Sequence, residues 1–196
     1  MNSFEFGQSQ IPDLKKHYEG KLKMNKTTNT KALVTSAFIA AIYCALTLAL
    51  SWLSFGNMQF RIAEALTLLP IVSPHAIVGV TLGCALSNAI GYFMGANILG
   101  AMDVIFGTMA SLIAAVLTWS CRNIRFKNLP LLSAFFPVIV NAVVVGGELS
   151  ILFTGSITIE PFLLNALSVF VPQFVICYTA GLMLVRFIEK NNIKIY

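Results

Sequence analysis

Six apolar segments follow one another with short polar breaks, at about residues 32–54, 61–73, 75–94, 102–120, 130–153 and 161–187. A run of about 18 or more such residues is long enough to cross the roughly 30 Å hydrocarbon core of a bilayer as an α-helix. In that medium only a helix or a closed barrel bonds all of its own backbone groups. The runs are continuous, without the strict alternation of a barrel strand, so the pattern predicts helices. At 57% hydrophobic and 11% charged residues, the chain has too little polar surface for a soluble domain. The expectation is an all-α integral membrane protein, one bundle of six transmembrane helices over 32–196.

The second segment is short, and Pro70 and Pro74 interrupt it, so 62–93 reads either as one kinked helix or as two helices with a tight turn. Charge decides between them. With six helices and an inside N-terminus, the inner segments hold Lys15, Lys16, Lys21, Lys23, Lys26 and Lys31, then Arg122, Arg125 and Lys127, then Arg186, Lys190 and Lys194. That is twelve of the thirteen basic residues, as the positive-inside bias requires, with both termini cytoplasmic. Five helices would put two of those groups outside. The net charge of +5 is therefore a topology signal, and no nucleic-acid partner is expected. Residues 1–31 are polar and basic, lack a signal-peptide core and are expected to be disordered, with Met24 an alternative start that would make 1–23 dispensable.

Within the apolar segments, ionisable residues mark candidate function, because a charge at bilayer depth is costly unless it is paired or faces water. Arg61 and Glu64 stand three apart at the start of the second segment, a spacing that lets them pair or jointly face a ligand. Asp103 opens the fourth segment, Glu148 lies late in the fifth and Glu160 precedes the sixth, all toward the outer side. Glu160, next to Pro161, reads as a solvated helix-start carboxylate. Polar residues also recur at helical spacing: Thr81, Cys84, Asn88 and Tyr92 on the third segment, Asn141 with Glu148 on the fifth, and Asn165, Ser168 and Gln173 on the sixth. Singly, each reads as a helix-to-helix hydrogen bond; together, at one depth, they make a ligand pocket the more economical reading.

Elsewhere the residues carry no chemistry of their own. Trp52, Trp119, Tyr43, Tyr92 and Tyr178 read as interfacial aromatics, and His75 as a surface residue. Cys44, Cys84, Cys121 and Cys177 are scattered one per segment, so neither a disulfide, a metal nor another cofactor is expected. Gly107, Ser111, Gly146 and Gly147 read as points of close helix approach. Ala37, Ala41 and Ala45, with Ser36 and Ala40 beside them, form a small-residue ridge on the first helix that fits either internal packing or a partner's helix. No phosphate-cradling loop, nucleophile elbow or His-Glu-x-x-His run is present, which points away from an ATPase or an enzyme.

Phe60-Arg61-Ile62-Ala63-Glu64-Ala65-Leu66-Thr67-Leu68-Leu69-Pro70, Asp103-Val104-Ile105-Phe106-Gly107-Thr108, Val140-Asn141-Ala142 with Glu148, and Asn165-Ala166-Leu167-Ser168-Val169 resemble the queuosine-precursor transporter family, QueT, from about residue 32 to the end. The resemblance implies a substrate-binding S component of an energy-coupling-factor (ECF) transporter in the bacterial cytoplasmic membrane. Such a component imports a 7-deazaguanine precursor of queuosine together with a transmembrane coupling subunit and two ATPase subunits. It implies a ligand site at Arg61, Glu64, Asp103, Asn141, Glu148 and Asn165, to which the polar faces add Asn88, Tyr92 and Gln173. It also implies a coupling face at Ala37, Ala41 and Ala45 and an outer loop around Ser54 to Gln59 that closes over the ligand. Gln173, after Pro172, stands where the family leads one to expect glycine and often a carboxylate. An S component for another vitamin, an ion-coupled secondary transporter and a structural membrane protein remain open on the residues alone.

Overall fold

The computed structural model describes residues 10–193 and 195 apart from Asn57, with side chains from Thr30 onward. The described residues contain five helices long and apolar enough to cross a membrane. Helix α1 spans Gln10–Ala49, of which Thr30–Ala49 is the apolar portion, and a short α2, Ser51–Ser54, follows it. Helices α3 (His75–Phe93), α4 (Ala101–Ser120) and α5 (Leu131–Thr154) come next. The last crossing is α6 (Ile159–Ile176), a π-helical turn at Cys177–Gly181, and α7 (Leu182–Lys190). Residues 10–31, within the segment expected to be disordered, have a helical backbone. Once Thr30–Ala49 has supplied the nucleus, each further residue adds a hydrogen bond without a new nucleation cost. Residues 1–9 lie outside the described residues.

The second apolar segment is a 3-10 helix, Ile62–Ile71, with Pro70 inside it and a break at Val72–Pro74 before α3. Two elements therefore replace the alternative of one kinked helix. A 3-10 helix rises about 2.0 Å per residue against about 1.5 Å in an α-helix, so ten residues reach about 20 Å where an α-helix would reach about 15 Å. That length matters because α1 and α3 run parallel. Ser36 Oγ donates to the His75 carbonyl at 2.8 Å, and further along Gly79 meets Ile39 and Gly83 meets Tyr43. A Cβ on either glycine would stand 2.8 Å or 2.7 Å from the Cβ opposite, so only glycine admits this helix contact. The chain between α1 and α3 accordingly returns through the bundle to the level of Ser36 on α1. The poorer hydrogen-bond geometry of a 3-10 helix is tolerable there because it is enclosed: Ala63, Glu64, Ala65 and Thr67 through Ile71 are buried.

The remaining crossings alternate. Asn88 Nδ2 donates to the Asp103 carbonyl at 2.8 Å and Cys84 Sγ contacts the Gly107 carbonyl at 3.7 Å, which sets α3 antiparallel to α4. Thr118 Oγ1 donates to the Ser133 carbonyl at 3.1 Å. That carbonyl lies four residues before Pro137, which has no N–H to offer it, so α4 satisfies an acceptor that a proline in α5 releases. Gly146 lies against the Ala166 backbone, joining α5 to α6. This alternation gathers Lys31, Arg122, Arg125, Lys127, Arg186 and Lys190 at the end of the bundle where α3 starts. There Arg125 makes a two-pronged ion pair with Glu189 at 3.0 and 2.6 Å, and Arg122 lies over the Trp119 ring at 4.3 Å.

Candidate functional site

The polar residues collect at the other end, where the 3-10 helix starts. Arg61 precedes that helix in an extended conformation (φ −93°, ψ 101°), outside the helical repeat that would align it with Glu64. The pairing allowed by their spacing is therefore not made. Arg61 Nη2 instead reaches Asp103 Oδ2 in the first turn of α4, at 2.5 Å, and Nε donates to the Ser54 carbonyl at 3.2 Å. The guanidinium also lies 5.2 Å from the centre of the Phe55 ring. Asn97 Nδ2 donates to the same Asp103 oxygen at 2.8 Å. Arg61 and Asp103 are both buried, so the pair has lost its hydration and relies on these added hydrogen bonds to offset the loss. Ser54, Phe55 and Gln59 are buried as well, the first two against Arg61, with Gln59 at a φ of 48°.

Glu64 has its own set of partners. Tyr43 OH donates to its Oε1 at 2.5 Å, and Asn141 lies beside the same carboxylate. Cys177 Sγ, in the π-helical turn, contacts the Glu64 carbonyl at 3.9 Å and Gln173 Oε1 at 4.0 Å, bringing the sixth segment to the site. Tyr43 is fully buried, which corrects its expected place in the interfacial belt: the ring sits mid-helix on the face of α1 toward α3. Glu148 is 4% exposed and lies within Coulombic range of Asp103 and Arg61.

Of the residues expected at a site, Arg61, Glu64, Asn88, Asp103, Asn141, Glu148 and Gln173 are buried. Asn165 is half-buried, with Nδ2 3.2 Å from Ser150 Oγ between α5 and α6. Tyr92 is 46% exposed and its ring packs 5.4 Å from that of Phe93, apart from the buried cluster. The α3 stripe thus ends at Asn88, because Tyr92 lies beyond the level at which α4 covers α3. Asn97 joins the cluster without having been expected, because it lies off the helical repeats, and Phe55 and Gln59 come from the segment expected to be an outer loop.

Glu64 Oε2, Asp103 Oδ1, Asn88 Oδ1 and both oxygens of Glu148 have no hydrogen-bond partner among the described residues, whereas Gln59 Nε2 is the one amide donor so placed. Buried polar atoms in native proteins are normally satisfied. These acceptors, carried by side chains of four helical segments, are free to take N–H donors.

A multi-pass helical membrane protein with a buried polar site at one end of its bundle is the class that this fold and site define. The chain belongs to the QueT transporter family, whose model matches residues 33–190. It is similar to the queuosine precursor transporter QueT of Lactococcus lactis subsp. cremoris (strain MG1363), at 34% identity over 90 residues. That match covers 45% of this chain and 49% of the relative, so the chain aligns with about half of the relative's length. No solved structure matches the chain.

Proposed function

We propose that this chain is the substrate-binding S component of an ECF-type transporter, and that it imports a queuosine precursor, a 7-deazaguanine derivative, across the bacterial cytoplasmic membrane. Family membership supports transport, and the observation that carries the ligand class is the surplus of buried acceptors at Glu64 and Asp103. A deazaguanine offers ring and exocyclic N–H donors that carboxylates accept, together with a carbonyl acceptor suited to Arg61 or Gln59. The chain catalyses nothing itself; energy comes from two partner ATPases through a transmembrane coupling subunit. Six crossings, with the 3-10 helix as the second, place the basic end and both termini in the cytoplasm and the site toward the outside. The parallel packing of α1 on α3 supports that count.

The coupling subunit docks on Ala37, Ala41 and Ala45. These three are exposed on α1, while Ser36, Ile39, Ala40 and Tyr43 on its other side are buried, so the ridge is available to a partner's helix. Mass spectrometry of the small molecule that co-purifies with the chain tests the ligand assignment, and a deazaguanine is expected. A different vitamin in that position, or uptake that persists without ATPase partners, overturns it.

A further inference from the structure

The charges around the site do not balance, and the imbalance falls on one residue. Arg61 is engaged by Asp103, and Asn97 adds a second donor to the same Asp103 oxygen. Glu64 accepts the Tyr43 hydroxyl and has Asn141 beside it. Glu148 has neither kind of support. It is 4% exposed, and both of its oxygens lack a donor among the described residues. The charged side chains within its range are Asp103, which repels it, and Arg61, which Asp103 already holds. Arg61 is also the one basic side chain buried among the described residues. A buried carboxylate is expensive until a proton or a cation joins it.

We infer that Glu148 is the specificity residue of the site: it selects a ligand carrying a protonated amine and pairs with that amine. Glu64 and Asp103, through Oε2 and Oδ1, accept the neutral N–H donors of the ring. This inference rests on the proposed function, in which the amine is an aminomethyl substituent on the deazaguanine; a nitrile at the same position brings neither charge nor donor.

Calorimetric titration of the full chain in lipid nanodiscs with the aminomethyl and the nitrile deazaguanines tests the assignment. Removing one member of a buried, hydrogen-bonded charge pair costs about 30-fold or more in affinity. The wild type is expected to prefer the amine by about that factor, and Glu148→Gln to lose the preference while binding the nitrile as before, which also shows that the variant folds. Glu148→Asp, which keeps the charge, retains a preference, and Glu64→Gln weakens both ligands alike. A preference that survives in Glu148→Gln overturns the inference, and so does an equal loss of both ligands, which would make Glu148 a ring contact. If the wild type binds neither compound, the proposed function fails first, at a step that no variant enters.

Discussion

Replacing Gly107 by alanine should damage both stability and ligand binding, although the same exchange inside a helix ordinarily stabilises a protein by about 0.5–1 kcal/mol. The Asp103 side chain folds back over Gly107 one turn later on α4, so an added Cβ would overlap Asp103 Oδ1 and stand 3.0 Å from Asn88 Nδ2. Asp103 cannot retreat freely, because its Oδ2 is held by Arg61 at 2.5 Å and by Asn97 at 2.8 Å. Overpacking of this kind costs about 1–3 kcal/mol, and parting a buried ion pair costs about 3–5 kcal/mol. Partial displacement, less the helix gain, leaves a net destabilisation of about 2–4 kcal/mol. Gly147 on α5 provides the matched control: an added Cβ there meets nothing within 4 Å, so Gly147→Ala should keep the ordinary small gain. Thermal unfolding of both variants in detergent, followed by deazaguanine titration, compares them directly. If Gly107→Ala unfolds at the temperature of Gly147→Ala and binds ligand like the wild type, the Asp103 carboxylate is not held over Gly107 by Arg61 and Asn97.

Tyr43→Phe removes the donor to Glu64 Oε1 and leaves a second unsatisfied oxygen on that buried carboxylate, which should cost about 1–3 kcal/mol of stability and weaken ligand binding; an unchanged melting temperature would count against the bond. Ala41→Trp should reduce co-purification with the coupling subunit and ATP-driven uptake while the isolated chain still binds ligand; normal assembly would leave the ridge without a docking role. For topology, a cysteine at Lys127 should be labelled only from the cytoplasm and one at the exposed Met58 only from outside. Outward labelling at Lys127 would refute the orientation.

The apolar runs made five helices legible, because length and hydropathy suffice for an α-helix in lipid. They did not reveal that Ile62–Ile71 would be a 3-10 helix: that choice follows from the distance the chain must cover between the far end of α1 and the start of α3, a property of the assembled bundle. The carboxylates at 64, 103 and 148 stood out because ionisable residues are expensive at depth. Their partners did not. Helical spacing suggested Glu64 for Arg61, but an extended residue at the start of a helix obeys no helical spacing, and Arg61 found Asp103 across the bundle. Tyr43 resembles any interfacial tyrosine until α3 is laid against α1, and Asn97, in the connection before α4, belongs to no periodic stripe. The alanine ridge left internal packing and partner contact equally open, and the choice of Ser36, Ile39, Ala40 and Tyr43 as the buried side of α1 put the alanines outside.

That division gives α1 two opposed faces across a wall a single helix thick. Tyr43, whose hydroxyl holds the Glu64 carboxylate, and Ala41, two residues earlier, look in opposite directions from the same helical turn. Nothing but the α1 backbone separates the inner lining from the outer skin at this level. A rotation of α1 large enough to swing Tyr43 off Glu64 would also reorient the alanine ridge, and a partner clamped on the ridge would resist that rotation. Such a wall makes its two faces reciprocal: whatever change a partner on the outer face makes in ligand affinity must be matched by an equal change that the ligand makes in the partner's affinity.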